Sequence, residues 1–151
     1  MLPVQAHNRH VLIVEDDEDI RQAVVDVLQH EGYTTQEARD GREALALLNL
    51  RPLPGCIVLD LLMPVMDGPT LVTEMTARPP LDTVPIVVLS ASMPMAQARQ
   101  RVKAAEWLEK PVTIDRLVEV VRRFCGPPHG GGGPIRGRAP ATPPWGIGKL
   151  S

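Results

Sequence analysis

The stretch from Cys56 to Gly68, CIVLDLLMPVMDG, constrains the fold more than any other part of the sequence. Cys56, Ile57, Val58 and Leu59 run without alternation into one acid, Asp60, and the run is bounded by Pro54-Gly55 and Pro64. A strand with one wet face alternates apolar and polar residues, so a short continuous apolar run predicts a strand buried on both faces. Asp60 then stands at the carboxyl end of that strand, where open α/β sheets form their ligand crevices. Taken alone it is as readily a polar residue that ends a strand. Its company elsewhere in the chain decides between the two.

The rest of the chain repeats the pattern. His10–Glu15 (HVLIVE) predicts a first strand that runs straight into acid, with Asp16 and Asp17 next. Ile20, Val24, Val27 and Leu28 recur at helical spacing over Glu18–Glu31, with Asp17 near the N-cap and Gly32 as the stop. Tyr33–Ala38 predicts a second strand, and Asp40-Gly41 turns the chain into a helix over Glu43–Leu50. Gly68-Pro69 opens a third helix through Leu71, Val72 and Met75, which ends before Pro79-Pro80. Pro85–Ser90 is another doubly buried strand, and Met95–Ala105 is a weakly apolar helical segment. Trp107–Pro111 gives a short strand and turn, and Thr113 caps a last helix with Ile114, Leu117, Val118, Val120 and Val121 as its apolar stripe. Five strands alternating with five helices predict an α/β fold with a parallel sheet covered on both faces.

Composition bounds the function. The 151 residues, 44% hydrophobic, suffice for one domain with a complete core. Neither the first ten residues nor any later run has the apolar length of a signal peptide or a membrane span, which predicts a cytoplasmic protein. Cys56 and Cys125 lie far apart and match neither a disulfide framework nor a zinc spacing, so both are expected as reduced thiols. With 3% aromatic residues and no basic footprint, direct nucleic-acid binding is not expected. Composition breaks at Gly126: residues 126–151 are rich in Gly and Pro, hold Arg136, Arg138 and Lys149, and contain no acid. Such a segment lacks the apolar residues for a core and is expected to be disordered. The domain plan is thus a short extension over residues 1–9, a folded unit over 10–125 and a tail, with about -5 charges on the residues before the tail.

In a parallel sheet of this kind the carboxyl ends of strands one, three, four and five share one edge. That edge would gather Asp16, Asp17, Asp60, Ser90 and Lys110. Each member has an ordinary explanation: the acid pair could complement the dipole of the first helix, Ser90 could end a strand, Lys110 could be a surface lysine, and Trp107 a core aromatic. Coincidence explains poorly an acid pair after strand one, Asp60 after strand three, Ser90 after strand four and Lys110-Pro111 after strand five, all in one chain. Packed carboxylates need a cation, and an all-oxygen site open to water suits Mg²⁺, with Asp16, Asp17 and Asp60 as ligands. With the charge offset by Mg²⁺ and Lys110, Asp60 can act as a nucleophile toward a phosphoryl donor.

Val14-Glu15-Asp16-Asp17, Asp60 with Met63-Pro64 and Asp67-Gly68, Ser90-Ala91 and Lys110-Pro111 together resemble the motifs of response-regulator receiver domains over residues 10–125. The resemblance implies a flavodoxin-like (βα)5 three-layer sandwich with strand order 2-1-3-4-5. It implies Asp60 as phosphoacceptor, Asp16, Asp17 and the Leu62 backbone carbonyl around Mg²⁺, Ser90 as switch hydroxyl, Trp107 as switch aromatic and Lys110 as phosphate partner. It also implies a cis peptide before Pro111. The implied partners are a histidine kinase or phosphotransfer protein upstream and a protein target on the face formed by the fourth helix, fifth strand and fifth helix, with a homodimer left open. Beyond its own phosphorylation and dephosphorylation, no enzymatic activity is implied.

The chain departs from the family pattern in three places. Trp107 stands where a Tyr or Phe is expected, the segment from Ser90 to Trp107 is short, and the tail follows where an output domain often stands. Leu62 and Ser92 occupy the positions that flank the approach of water to phosphorus in this family, and neither orients water well, which predicts slow loss of the phosphoryl group. Two rivals remain. A phosphatase of the haloacid dehalogenase type also uses a strand-end Asp and Mg²⁺, but wants a second Asp where this chain has Leu62. A receiver-like binding module acting without phosphorylation would not need the full acid cluster.

Overall fold

The computed structural model describes residues 10–50, 52–60, 68–90, 104–127 and 149–150. A parallel sheet of β1 (His10–Val14), β2 (Thr34–Ala38), β3 (Cys56–Asp60), β4 (Ile86–Ser90) and β5 (Glu106–Glu109) runs in the order β2-β1-β3-β4-β5. This is the order implied by the resemblance. The connecting helices are α1 (Glu18–His30), α2 (Gly41–Leu48), α3 (Gly68–Thr76) and α4 (Ile114–Cys125), the last being the fifth helix of the sequence pattern. A 3-10 turn at Leu81–Thr83 precedes β4.

The unbroken apolar runs are buried on both faces because the pleat sends successive side chains to opposite layers. Leu12, Val14, Ile57, Leu59 and Val88 pack with Leu48, Leu71 and Met75 on the side of α2 and α3. Val11, Ile13, Val58, Val87 and Leu89 pack with Val24, Leu28, Leu117 and Val121 on the side of α1 and α4. Central strands therefore cannot slip by one residue without exchanging both cores.

Helix boundaries follow the caps. The Asp17 carboxylate accepts from the Ile20 N–H at 3.1 Å and starts α1. Gly32, at φ 103°, turns the chain out of it. Asp40 accepts from the Glu43 N–H at 2.9 Å, so α2 begins at Gly41, two residues before the apolar pattern indicates, and it closes at Leu48 with Leu50 left 58% exposed. Tyr33 precedes β2 instead of opening it; its ring is buried and its hydroxyl donates to the Gly126 carbonyl at 2.7 Å. Thr113 accepts from the Arg116 N–H at 3.1 Å and starts α4, as expected.

The Lys110–Pro111 peptide is cis, as the resemblance implies, and Pro79–Pro80 is cis as well. Most of the expected helix over Met95–Ala105 lies outside the described residues; Ala104 and Ala105 are not helical, and the Ala105 N–H donates to the Ile86 carbonyl to lead into β5. At the far end of the chain, β7 (Lys149–Leu150) pairs antiparallel with β6 (Val112–Thr113), joining the end of the tail to the segment after Lys110. Cys56 and Cys125, distant in sequence, are side by side as free thiols in the core between the sheet and α4. Among the described residues no helix is long and apolar enough to cross a membrane.

Candidate functional site

The ladder between β1 and β2 continues one residue past β1, where the Glu15 N–H donates to the Ala38 carbonyl at 3.0 Å. Glu15 therefore keeps strand geometry, and its side chain is only 5% exposed. Next to it Asp16 is exposed, and Asp60, at the end of β3, is half-buried. Carboxylate oxygens of Glu15, Asp16 and Asp60 all lie within 4.8 Å of one another. Lys110, delivered by the turn after β5, brings its Nζ to 3.5 Å from Glu15 Oε1, with its own side chain 8% exposed.

Glu15 is held at several points. Its Oε2 accepts from the Asp17 N–H at 3.2 Å, and its backbone carbonyl accepts from Arg21 Nη1 at 3.0 Å. Arg21 is itself buried and pairs through Nε with Glu37 of β2 at 3.0 Å, so one guanidinium ties α1 to the ends of β1 and β2. Burial, then the nearby Asp60 charge, push the Glu15 carboxyl from 4.5 up to about 8; Lys110 and the Asp17 N–H act in the opposite direction. The raised Glu15 carboxyl favours retention of a proton by the three-carboxyl cluster at neutral pH. A divalent cation would displace that proton and satisfy the oxygens, and an all-oxygen set with one exposed member, open to water, suits Mg²⁺.

Of the residues predicted from sequence, Asp16, Asp60 and Lys110 come together. Asp17 is not in the carboxylate cluster: its carboxylate caps α1 while its N–H supports Glu15, and Glu15 occupies the place foreseen for it. The signal that identifies Glu15 is the ladder, which extends the strand to the first acid of the three. Ser90 ends β4 in register with Glu109, on the same edge of the sheet. Trp107 lies opposite Val88 and is half-buried against the core on the α2 and α3 side. Leu62 and Ser92 lie outside the described residues.

The sequence matches the family described as response regulator receiver domain over residues 11–122. It is 35% identical over 117 residues to an uncharacterised 14.6 kDa protein of Leptolyngbya boryana, covering 76% of this chain and 88% of that one. It is 32% identical over 119 residues to a putative NtrX-like response regulator of Rickettsia bellii, covering 76% of this chain but only 24% of that protein's length. The fold superposes with a TM-score of 0.72, at 25% identity, on the receiver domain of the sensor histidine kinase PA1611 of Pseudomonas aeruginosa, whose structure has a magnesium ion coordinated in the active-site cleft; 79% of this chain and 98% of that one are covered. The parallel five-stranded sheet agrees with these matches. The chain belongs to the response regulator receiver domain family of two-component signalling.

Proposed function

We propose that Asp60 accepts a phosphoryl group from a histidine kinase or phosphotransfer protein, in a Mg²⁺-dependent reaction, and that the chain signals through protein contacts. The observation that carries this reading is the meeting of Glu15, Asp16 and Asp60 within 4.8 Å beside the buried Lys110, at the carboxyl ends of strands from separate parts of the sequence.

An Asp60 carboxylate oxygen attacks the phosphorus of a phosphohistidine, forming the P–O bond as the P–N bond breaks and the imidazole leaves. Lys110 supplies a fixed positive charge beside the incoming phosphoryl oxygens, and its partner Glu15 holds it in place at 3.5 Å. Asp16 and Asp60, with Glu15 and the Leu62 backbone carbonyl, would hold Mg²⁺. When bound, the ion neutralises the acid cluster and the oxygens in transfer. The magnesium coordinated in the active-site cleft of the PA1611 receiver supports Mg²⁺ as the choice of ion. Asp17 contributes through α1 and the placement of Glu15.

Downstream, Ser90 and Trp107 would relay the phosphorylated state to the face that includes β5 and α4, where a protein target or a second copy would dock, in the cytoplasm. The test is incubation of the full chain with acetyl phosphate and MgCl₂, followed by intact mass measurement. A gain of one phosphoryl group that Asp60→Asn abolishes is expected. The same gain in Asp60→Asn would overturn the assignment, and no gain in the unaltered chain would favour a receiver that binds partners without phosphorylation.

A further inference from the structure

Cys56 opens β3, the strand that ends in Asp60, and Cys125 is the last residue of α4. The Cys125 thiol donates to Cys56 Sγ at an S–S distance of 3.2 Å, across 69 residues of sequence. Residue exposure is 0% for Cys56 and 1% for Cys125, and both pack in the layer between the sheet and α4. We propose that the two form an oxidation site, at which a hydroperoxide converts the facing thiols into an intramolecular disulfide that bolts the end of α4 to the start of β3.

Bond formation needs the sulfurs to approach by about 1.2 Å, toward the ~2.0 Å of a disulfide, which is the scale of a side-chain adjustment. Access is the other requirement, since buried neutral thiols are inert. The hydrogen bond with the facing Cys125 thiol, and then burial, raise Cys56 well above its ordinary value, which disfavours the strand cysteine as the first to react. Cys125 sits in the terminal helical turn next to Gly126, whose φ of 81° ends α4, and helix ends are where local opening costs least. The Tyr33 hydroxyl bond to the Gly126 carbonyl and the Arg122–Glu31 ion pair at 3.5 Å hold that turn closed, which makes opening the gate on oxidation.

The chemistry balances. The Cys125 sulfur attacks one peroxide oxygen, the O–O bond breaks, and a sulfenic acid and water result. The Cys56 sulfur then displaces the sulfenic hydroxyl, which leaves as a second water, so two thiols and one H₂O₂ yield one disulfide and two waters. The bond would form at the end of β3 opposite Asp60, about 13 Å along the strand, and so does not depend on the phosphoacceptor reading.

The test treats the folded full-length chain with hydrogen peroxide, quenches with iodoacetamide in denaturant, and measures the intact mass and proteolytic peptides. The expected result is a monomer lighter by two hydrogens, free of alkylation, with a Cys56–Cys125 cross-linked peptide that dithiothreitol separates. Both cysteines alkylated, stable oxygen adducts on either sulfur, or only intermolecular dimers would overturn the proposal. In Cys56→Ala under the same peroxide, dimedone should label Cys125; an unlabelled Cys125 in a folded variant refutes the assigned order of attack. Should that variant fail to fold, the unaltered chain still decides whether the disulfide forms.

Discussion

Replacing Glu15 with Gln should change how stability depends on pH. The Glu15 carboxyl, raised from 4.5 to about 8 chiefly by burial and then by the Asp60 charge, keeps a proton in the folded chain that the unfolded chain loses near pH 4.5. The folded state therefore binds more protons across that window. Its stability from this group is greatest below about pH 4.5, falls as pH rises, and levels off above about pH 8. At roughly 1.4 kcal/mol for each unit of difference, the loss is on the order of 5 kcal/mol, a large share of the stability of a small domain. Gln keeps the length and the acceptor oxygen of the protonated acid and does not titrate. With divalent ions chelated, urea unfolding of both proteins at pH 4.5 and pH 8.5 should give similar stabilities at the lower pH. At the higher pH the variant should be more stable by a few kcal/mol. His10, which burial holds below its ordinary value, acts with the opposite sign but is common to both proteins and cancels in the comparison. A difference between the two proteins that stays constant with pH would refute the placement of the proton on Glu15.

Asp17→Ala should cost about 1 kcal/mol of stability through the lost cap of α1 while leaving Mg²⁺ affinity within a few-fold, measured by urea unfolding and calorimetry; a loss of binding like that of Asp16→Ala would return Asp17 to the ligand set. Mg²⁺ affinity of the unaltered chain should increase from pH 6 to pH 8.5 as the Glu15 proton becomes easier to displace, and calorimetry in buffers of different ionisation enthalpy should register proton release at the lower pH. Arg21→Met should destabilise the domain by about 1–3 kcal/mol by leaving Glu37 and the Glu15 carbonyl without their partner, read from the urea midpoint. Leu62→Asn should accelerate loss of the phosphoryl group from Asp60 with Mg²⁺ present, and an unchanged decay would show that Leu62 does not limit the attacking water.

The architecture was legible because the doubly buried strands advertise themselves: CIVL before Asp60 and IVVL before Ser90 leave little choice but a covered parallel sheet. Asp60 and Lys110 followed from that, since each comes at a strand's carboxyl end. The three acids after Val14 were harder. Composition alone does not say which two face the crevice, and the answer depends on one ladder bond from Glu15 to Ala38 on a strand paired at a distance. Asp17 carried a helix-capping signal in the sequence, and in the structure that local role prevails. The start of α2 at Gly41 reflects a similar rule, the Asp40 cap outweighing the apolar periodicity that begins later. The pairing of Cys56 with Cys125 was not readable, because it depends on the closing of α4 over β3 and not on any spacing along the chain.

The pairing of Lys149–Leu150 with Val112–Thr113 makes the end of the chain a tethered ligand for its own backbone edge. A strand edge two residues beyond Lys110 would otherwise stand open to the backbone of another molecule. Because the competitor is attached, it is present at an effective concentration on the order of millimolar, whatever the dilution of the protein. Any foreign strand that takes this edge must first outbid it, so its measured affinity for the intact chain will be weaker than its affinity for a chain cut at Cys125. A tag added after Ser151 would likewise be carried to the turn that delivers the lysine.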